Sequence, residues 1–274
     1  MSSISRKRKK SDFDFTAWVE GASYGLSSGP DGLAIRKALD GSARIIMPDK
    51  DSWIDFYKID RESADEMMRD FNNDAHYAEY GGTNRPPAMM GHKTPRDQAF
   101  FYRGSKPTVT YRFGNKTFRG STKLPSKLTR FWDDMEDNYG DLHFGVMNRY
   151  LGNRDSISSH ADDEKEIVSG SAIPSLSLGE TRTFVVEINK EWKGKITLPN
   201  NGRLNINLRH GDVLVMGGNF QHVYRHGVPK SEVENNNTRI NVTLRQFNNE
   251  DKKRTDRGGS LFDRGSRSNP INID

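Results

Sequence analysis

Three short stretches of this chain carry residue types that chemistry could join. His160-Ala161-Asp162 sets an imidazole and a carboxylate two residues apart. Alternate side chains of a strand share a face, so both groups would point the same way. A second imidazole lies downstream, where His226 closes the stretch Gln221-His222-Val223-Tyr224-Arg225-His226 just before Gly227-Val228-Pro229. Two imidazoles and one carboxylate on one side of a metal, with positions left open, suit non-haem Fe(II) and O2 chemistry. The same ligand types also suit Mn, or Zn completed by a water. His222 is the rival for third ligand, and His210, in a His-Gly-Asp turn, reads as a surface residue.

The third stretch, Arg239-Ile240-Asn241-Val242-Thr243-Leu244-Arg245, alternates strictly between polar and apolar. Its polar face points either to solvent or into a barrel, and in the second case two guanidiniums are buried and need anions. At roughly 3.3 Å per residue their Cα atoms stand about 20 Å apart. Two long side chains could then bracket a small dicarboxylate, for which the guanidinium fork is suited. Asn148 and Tyr150 share a strand face by the same alternation.

These groups need a scaffold. After Gly140, turn signals separate short strand-like runs at 144–150, 156–162, 173–178, 183–188, 195–198, 204–208, 212–216 and 239–247. Such spacing suggests an all-β sandwich or barrel. Upstream, Trp53–Tyr57 reads as a strand, and Ser63–Phe71 as a helix. Ser126 is placed to cap a second helix whose Leu128, Phe131, Trp132 and Met135 form one apolar face, which we assign to core. Residues 72–94 are Gly- and Pro-rich and read as loop. Residues 1–45 are expected to form a basic, loosely ordered arm with a short helix around Leu33–Leu39. Residues 46–140 would carry the helices and a recognition segment, 141–247 the β core, and 248–274 a disordered tail.

Composition narrows the class. Cysteine is absent, which excludes a disulfide scaffold, a thiolate metal site and a cysteine nucleophile. No apolar run is long enough for a membrane span and no signal segment opens the chain, so a soluble intracellular protein is expected. The net charge of +5 is matched by five cations, Arg6 to Lys10, leaving the rest neutral overall. That cluster is of nuclear-localisation or nucleic-acid-tethering type, which favours the nucleus over the cytoplasm. A further local basic patch runs from Lys93 to Arg130.

Taken in order, Asn148-Arg149-Tyr150, His160-x-Asp162-Asp163-Glu164, Gly170-Ser171-x-Ile173, Ser175-x-Ser177-Leu178-Gly179, Gly211-Asp212-x-Leu214-x-Met216, His226-x-Val228-Pro229 and Arg239-x-Asn241-x-Thr243-x-Arg245 resemble the AlkB-like family of Fe(II)/2-oxoglutarate dioxygenases. The resemblance covers roughly residues 90 to 247 and is nearest to the nuclear DNA-repair branch. A departure is Ala161, where the family often has a larger residue. The resemblance implies a mainly β (α+β) fold: a double-stranded β-helix, or jelly roll, with an N-terminal α/β nucleotide-recognition lid. It implies that His160, Asp162 and His226 bind Fe(II), and that Asn148, Tyr150, Arg239, Asn241 and Arg245 hold 2-oxoglutarate. Arg96, Tyr111, Phe113, Asp163 and Glu164 would meet the substrate, the two aromatics by stacking on a flipped base. The implied reaction uses O2 and 2-oxoglutarate to hydroxylate the N-methyl group of bases such as 1-methyladenine or 3-methylcytosine in DNA or RNA. Formaldehyde, succinate and CO2 would be released by what is expected to be a monomer. The competing expectations are an oxygenase acting on a protein or small molecule, and a non-catalytic nucleic-acid-binding module.

Overall fold

The computed structural model describes residues 13–86, 93–104, 110–113, 116–234 and 237–248. Eight strands make the central sandwich: β8 (Phe144–Tyr150), β9 (Ile157–His160), β10 (Ile173–Gly179), β11 (Arg182–Ile188), β12 (Arg203–Leu208), β13 (Asp212–Gly218), β14 (Tyr224–Val228) and β15 (Arg239–Arg245). They divide between two antiparallel sheets. One contains the order β13-β10-β15-β8, the other is β12-β11-β14-β9. The chain therefore crosses between sheets at nearly every connection, the path of a double-stranded β-helix.

The larger sheet continues on both sides. β5 (Asp97–Tyr102) pairs with β8, while β1 (Gly25–Ser28), β2 (Ala34–Lys37), β3 (Ala43–Ile46) and β4 (Ser52–Lys58) extend it beyond β13 to nine strands. This overturns the expected loose arm for residues 13–45. Helix α1 (Phe15–Gly21) is capped by the Asp14 carboxylate and buries Phe15 and Val19 in the inter-sheet core. Leu33–Leu39 is no helix, because Ile35 sits in β2 with its side chain fully buried. A sheet bond to β3 satisfies its backbone better than one isolated helical turn would. Residues 1–12 and 249–274, where the extreme arm and tail were expected, lie outside the described residues.

The outer face of the large sheet is covered by α2 (Arg61–Asn72) and α4 (Ser126–Tyr139). The expected stripe of α4 is core: Leu128, Phe131, Trp132 and Met135 are all buried, each such side chain stabilising by about 1.5–3 kcal/mol. Pro125, not Ser126, occupies the capping position, with no side-chain cap. Gly145 on β8 allows close approach here, since a Cβ would stand 2.9 Å from the Trp132 ring. The Gly/Pro-rich stretch also holds a helix, α3 (Asp74–Glu79), whose Tyr77 is buried. Lys195–Leu198 forms no strand, only a bridge between Lys193 and Ile196. A separate hairpin pairs β6 (Thr110–Phe113) with β7 (Lys116–Arg119).

With helices on one side and the second sheet on the other, both faces of β10, β13 and β15 are enclosed. β13 is apolar on both: Leu214 and Met216 face inward, Val213 and Val215 outward. β15 is not. Ile240, Val242 and Leu244 pack outward beneath the helices, so Arg239, Asn241, Thr243 and Arg245 face the interior. A polar row inside a sandwich needs partners or a ligand.

Candidate metal centre and cosubstrate pocket

The three expected metal ligands meet. Ligand atoms of His160, Asp162 and His226 all lie within 4.8 Å of one another. His160 ends β9 and pairs across to His226 on β14, so the two rings stand 4.5 Å apart between centroids. Asp162 falls two residues past the end of β9, not on the strand itself. Its orientation is instead fixed by its backbone N–H, which donates to Gln221 Oε1 at 2.9 Å. The register shift between His226 and Val228 brings β14 close to β9, and Gly227 permits it: a Cβ there would meet the Ile157 carbonyl oxygen at 2.8 Å.

Protonation states fit a divalent metal. His160 Nδ1 lies 2.9 Å from the Ser158 carbonyl, which can only accept. Nδ1 therefore carries a proton, and Nε2, 3.7 Å from Asp162 Oδ1, is the nitrogen turned toward the ligand cluster. Burial, then the neighbouring His160, push His226 down to about 3, so its ring is neutral. Its Nδ1 is buried without a hydrogen-bond partner. Burial opposes the charge of Asp162, but Arg245, His226 and His160 outweigh it and hold the carboxyl well below the usual range. A neutral imidazole at His226 and an ionised carboxylate at Asp162 are the forms a metal requires. Phe184 stacks on His226 at 5.2 Å and walls the site from within.

Beside these ligands runs a pocket lined by Asn148, Tyr150 and the four inward residues of β15. Arg245 Nη2 sits 2.9 Å from both carboxylate oxygens of Asp162, marking the metal end. Arg239 marks the far end. Its Nη2 donates to Ser177 Oγ at 2.9 Å and the Tyr150 hydroxyl is a further side-chain partner, while the buried Nε and Nη1 make no hydrogen bond of good geometry. A buried guanidinium with unmet N–H groups fits an anionic ligand. Asn241 is spent on the scaffold: its amide donates to Ser175 Oγ and the Leu176 carbonyl, and its Oδ1 accepts from Thr243.

Arg96 departs from expectation. It is buried, donating from Nε to Asn148 Oδ1 at 2.7 Å and from Nη1 to the Ser156 carbonyl at 3.1 Å. With Gln98 Nε2, also on Asn148 Oδ1 at 2.9 Å, it turns the Asn148 amide rather than facing an open cleft. The other substrate residues divide. Asp163 and Glu164 line a separate cleft of about 650 Å³ that shares Asp162 with the metal site. Tyr111 and Phe113 belong to β6, and their side chains lie outside the described residues.

His210 is not a free surface group, since its Nδ1 accepts from the Gly179 N–H and its Nε2 faces Asp65 at 3.0 Å. His222 lines the wider cleft and packs edge-on against Trp192, away from the ligand cluster. Part of the basic patch is neutralised: Arg103 pairs with Asp133 and Glu136, Lys123 with Glu79, and Lys127 with Glu66. Sequence reasoning missed Gln98 and Gln221 and gave Ser175 and Ser177 no role, although both lie in a quoted motif. Gln221 carried a signal of its own, its place five residues before His226.

A jelly roll with this ligand cluster and an inward arginine row defines the class. The 2OG-Fe(II) oxygenase superfamily matches residues 59–245, and the chain belongs to it. It is therefore a dioxygenase that uses Fe(II), 2-oxoglutarate and O2. Among characterised proteins it is 28% identical over 228 residues to human DNA oxidative demethylase ALKBH2, spanning 81% of this chain and 79% of that one. Human alkB homolog 3, an alpha-ketoglutarate-dependent dioxygenase, is 29% identical over 192 residues, covering 68% and 63%. Arabidopsis thaliana DNA oxidative demethylase ALKBH2 is 37% identical over 114 residues, 36% of each chain. Among the described residues no helix is long and apolar enough to cross a membrane.

Proposed function

We propose that the protein removes N-methyl groups from bases in DNA or RNA by oxidation. The observation that carries the reading is one pocket combining three convergent ligand side chains with a buried arginine whose Nε and Nη1 make no hydrogen bond. The names of the relatives supply the substrate class. His160, Asp162 and His226 hold Fe(II), which with O2 and 2-oxoglutarate supplies the hydroxylating chemistry. Asn148 and Tyr150 line the cosubstrate's path, Arg239 grips its distal carboxylate, and Arg245 fixes Asp162 at the metal end. The methylated base enters by the wider cleft, extruded from its strand, with Asp163 and Glu164 near its polar edge and Tyr111 and Phe113 stacking on it. Arg96 acts behind Asn148. The exposed Asp163 suits a base made cationic by methylation. The protein works as a monomer, and the Arg6 to Lys10 cluster supports a nuclear location.

Incubation with Fe(II), 2-oxoglutarate and oligonucleotides carrying 1-methyladenine or 3-methylcytosine, single- and double-stranded, tests the reading by mass spectrometry. Loss of the methyl group is expected, and His160→Ala should abolish it. Unchanged turnover in His160→Ala with metal supplied, or 2-oxoglutarate consumption without demethylation of any strand, would overturn the assignment.

A further inference from the structure

Arg182, at the start of β11, has no part in the site described so far, yet it is 5% exposed and lies behind it. Its Nη1 donates to the Gly152 carbonyl at 3.1 Å, and its Nη2 to the carbonyls of Asp155 at 2.8 Å and Pro229 at 2.5 Å. Gly152 and Asp155 lie on the loop that leaves β8 after Tyr150 and leads to β9 and His160. Pro229 directly follows β14, which carries His226. One guanidinium thus ties together the exits of two strands that bear site residues.

Its charge also matters. The Arg182 guanidinium carbon is 5.8 Å from the Tyr150 ring centroid, and that of Arg239 is 5.1 Å from the same ring. All three acceptors of Arg182 named above are neutral carbonyls, which orient a cation without cancelling its charge. Two carboxylates act on Arg182 from a distance, Asp155 and Glu180, and each has a partner of its own: Asp155 is engaged by Arg85 Nη2 at 2.7 Å and the Leu151 N–H at 2.9 Å, and Glu180 accepts from Asn237 Nδ2 at 2.9 Å. Two cations therefore share the surroundings of Tyr150, where the water-excluding interior leaves their fields weakly screened.

We propose that Arg182 is a positioning residue for the cosubstrate: a second, non-contacting cation that raises affinity for the distal carboxylate while holding Tyr150 beside Arg239. This rests on the cosubstrate reading of the pocket. Arg239 supplies the direct grip, and Arg182 supplies the potential and the placement of the ring. The selectivity of the site for a dicarboxylate over a monocarboxylate thus has a source outside the contact residues.

The test uses calorimetric binding to full-length protein loaded with Mn(II), so that no turnover occurs. Two ligands are compared, 2-oxoglutarate and 2-oxopentanoate, which keeps the 2-oxo acid and lacks the distal carboxylate. Two variants are compared, Arg182→Gln, which keeps N–H donors without charge, and Arg182→Lys, which keeps charge. Arg182→Gln should weaken 2-oxoglutarate on the order of tenfold and leave 2-oxopentanoate nearly unchanged. Arg182→Lys should stay within about threefold of wild type for 2-oxoglutarate. Equal weakening of both ligands in Arg182→Gln would mean that the residue merely holds the loops, and would overturn the proposal. So would an unchanged affinity for 2-oxoglutarate. Wild-type protein that binds neither ligand would overturn the cosubstrate reading itself, and this inference with it.

Discussion

At the scale of single residues, the pocket sets two guanidiniums where water is excluded. Arg239 is a buried cation whose Nε and Nη1 make no hydrogen bond of good geometry, and burial together with the nearby Arg182 works against its charge. Arg239→Met should therefore weaken 2-oxoglutarate by about 100-fold or more, because a charge-assisted contact is lost. The ligand-free variant should melt no earlier than wild type, since an uncompensated buried charge goes with it. Paired calorimetry and thermal melts check both halves, and an early melt with intact binding would refute the account. The His160–Asp162 pair was legible in sequence from its spacing, but not for the reason strand alternation suggests, since Asp162 lies past β9 and is turned by Gln221. Gln98, Gln221 and Arg182 were not, because each works through a partner about 30 to 60 residues away that only the assembled sheets bring near. Arg96 was legible as a polar residue of consequence, but the sequence could not tell an outward from an inward guanidinium.

At the scale of elements, the site depends on how tightly strands approach and how their ends are tied. Gly227 lies in the register shift between His226 and Val228, where a side chain would collide with the β9 backbone. Gly227→Ala should push β14 from β9 and lower metal affinity by on the order of tenfold or more, with a smaller loss of thermal stability. Titration with Co(II), followed by its absorption, would show this, and wild-type affinity would disprove it. The far end of β15 is tied differently: the Phe247 N–H donates to His143 Nδ1 at 3.2 Å. Burial lowers the pKa of His143 below 6.5, so the folded state favours the neutral ring. The unfolded chain then binds a proton more readily as pH falls below about 6.5, and this contribution to stability declines with acidification. The melting temperature should fall between pH 7.5 and pH 5, and His143→Gln should flatten that slope. The helical stripes of α2 and α4 were legible since long periodic runs reflect one buried face. The four-residue strands β1 to β3 were not: Gly-Leu-Ser-Ser, Ala-Ile-Arg-Lys and Ala-Arg-Ile-Ile hold too few positions to reveal a period, and their burial comes from neighbouring strands.

For the whole molecule, the sheet that carries β15 is continuous with residues from 25 onward, so the domain is larger than its motifs. Deleting residues 1–46 would uncover the edge of β4, where Ile54 and Phe56 are buried. That truncation should yield aggregated protein, whereas deleting residues 1–10 should leave the melting temperature unchanged. Size-exclusion chromatography and thermal melts of the two forms distinguish them, and a soluble, stable 47–274 fragment would count against the architecture. The polar row of β15 shows why the sequence left its direction open. Alternation fixes which residues share a face, but only the count of layers decides whether that face meets water. Here helices α2 and α4 occupy the apolar side, so the arginines have nowhere to point but inward.

The start of the described chain has a further consequence. Phe13 is fastened at both backbone polar groups to Asn200, its N–H donating to Oδ1 at 2.7 Å and its carbonyl accepting from Nδ2 at 3.1 Å. The pair joins the first described turn of the chain to the loop before β12, 187 residues away in sequence. The adjoining residues Asn201 and Arg203 border a groove that also holds Lys190, Lys193 and Arg225. Asn200 is thus a rivet between the first helix and the second sheet, and α1 stays seated only while the loop before β12 keeps its shape.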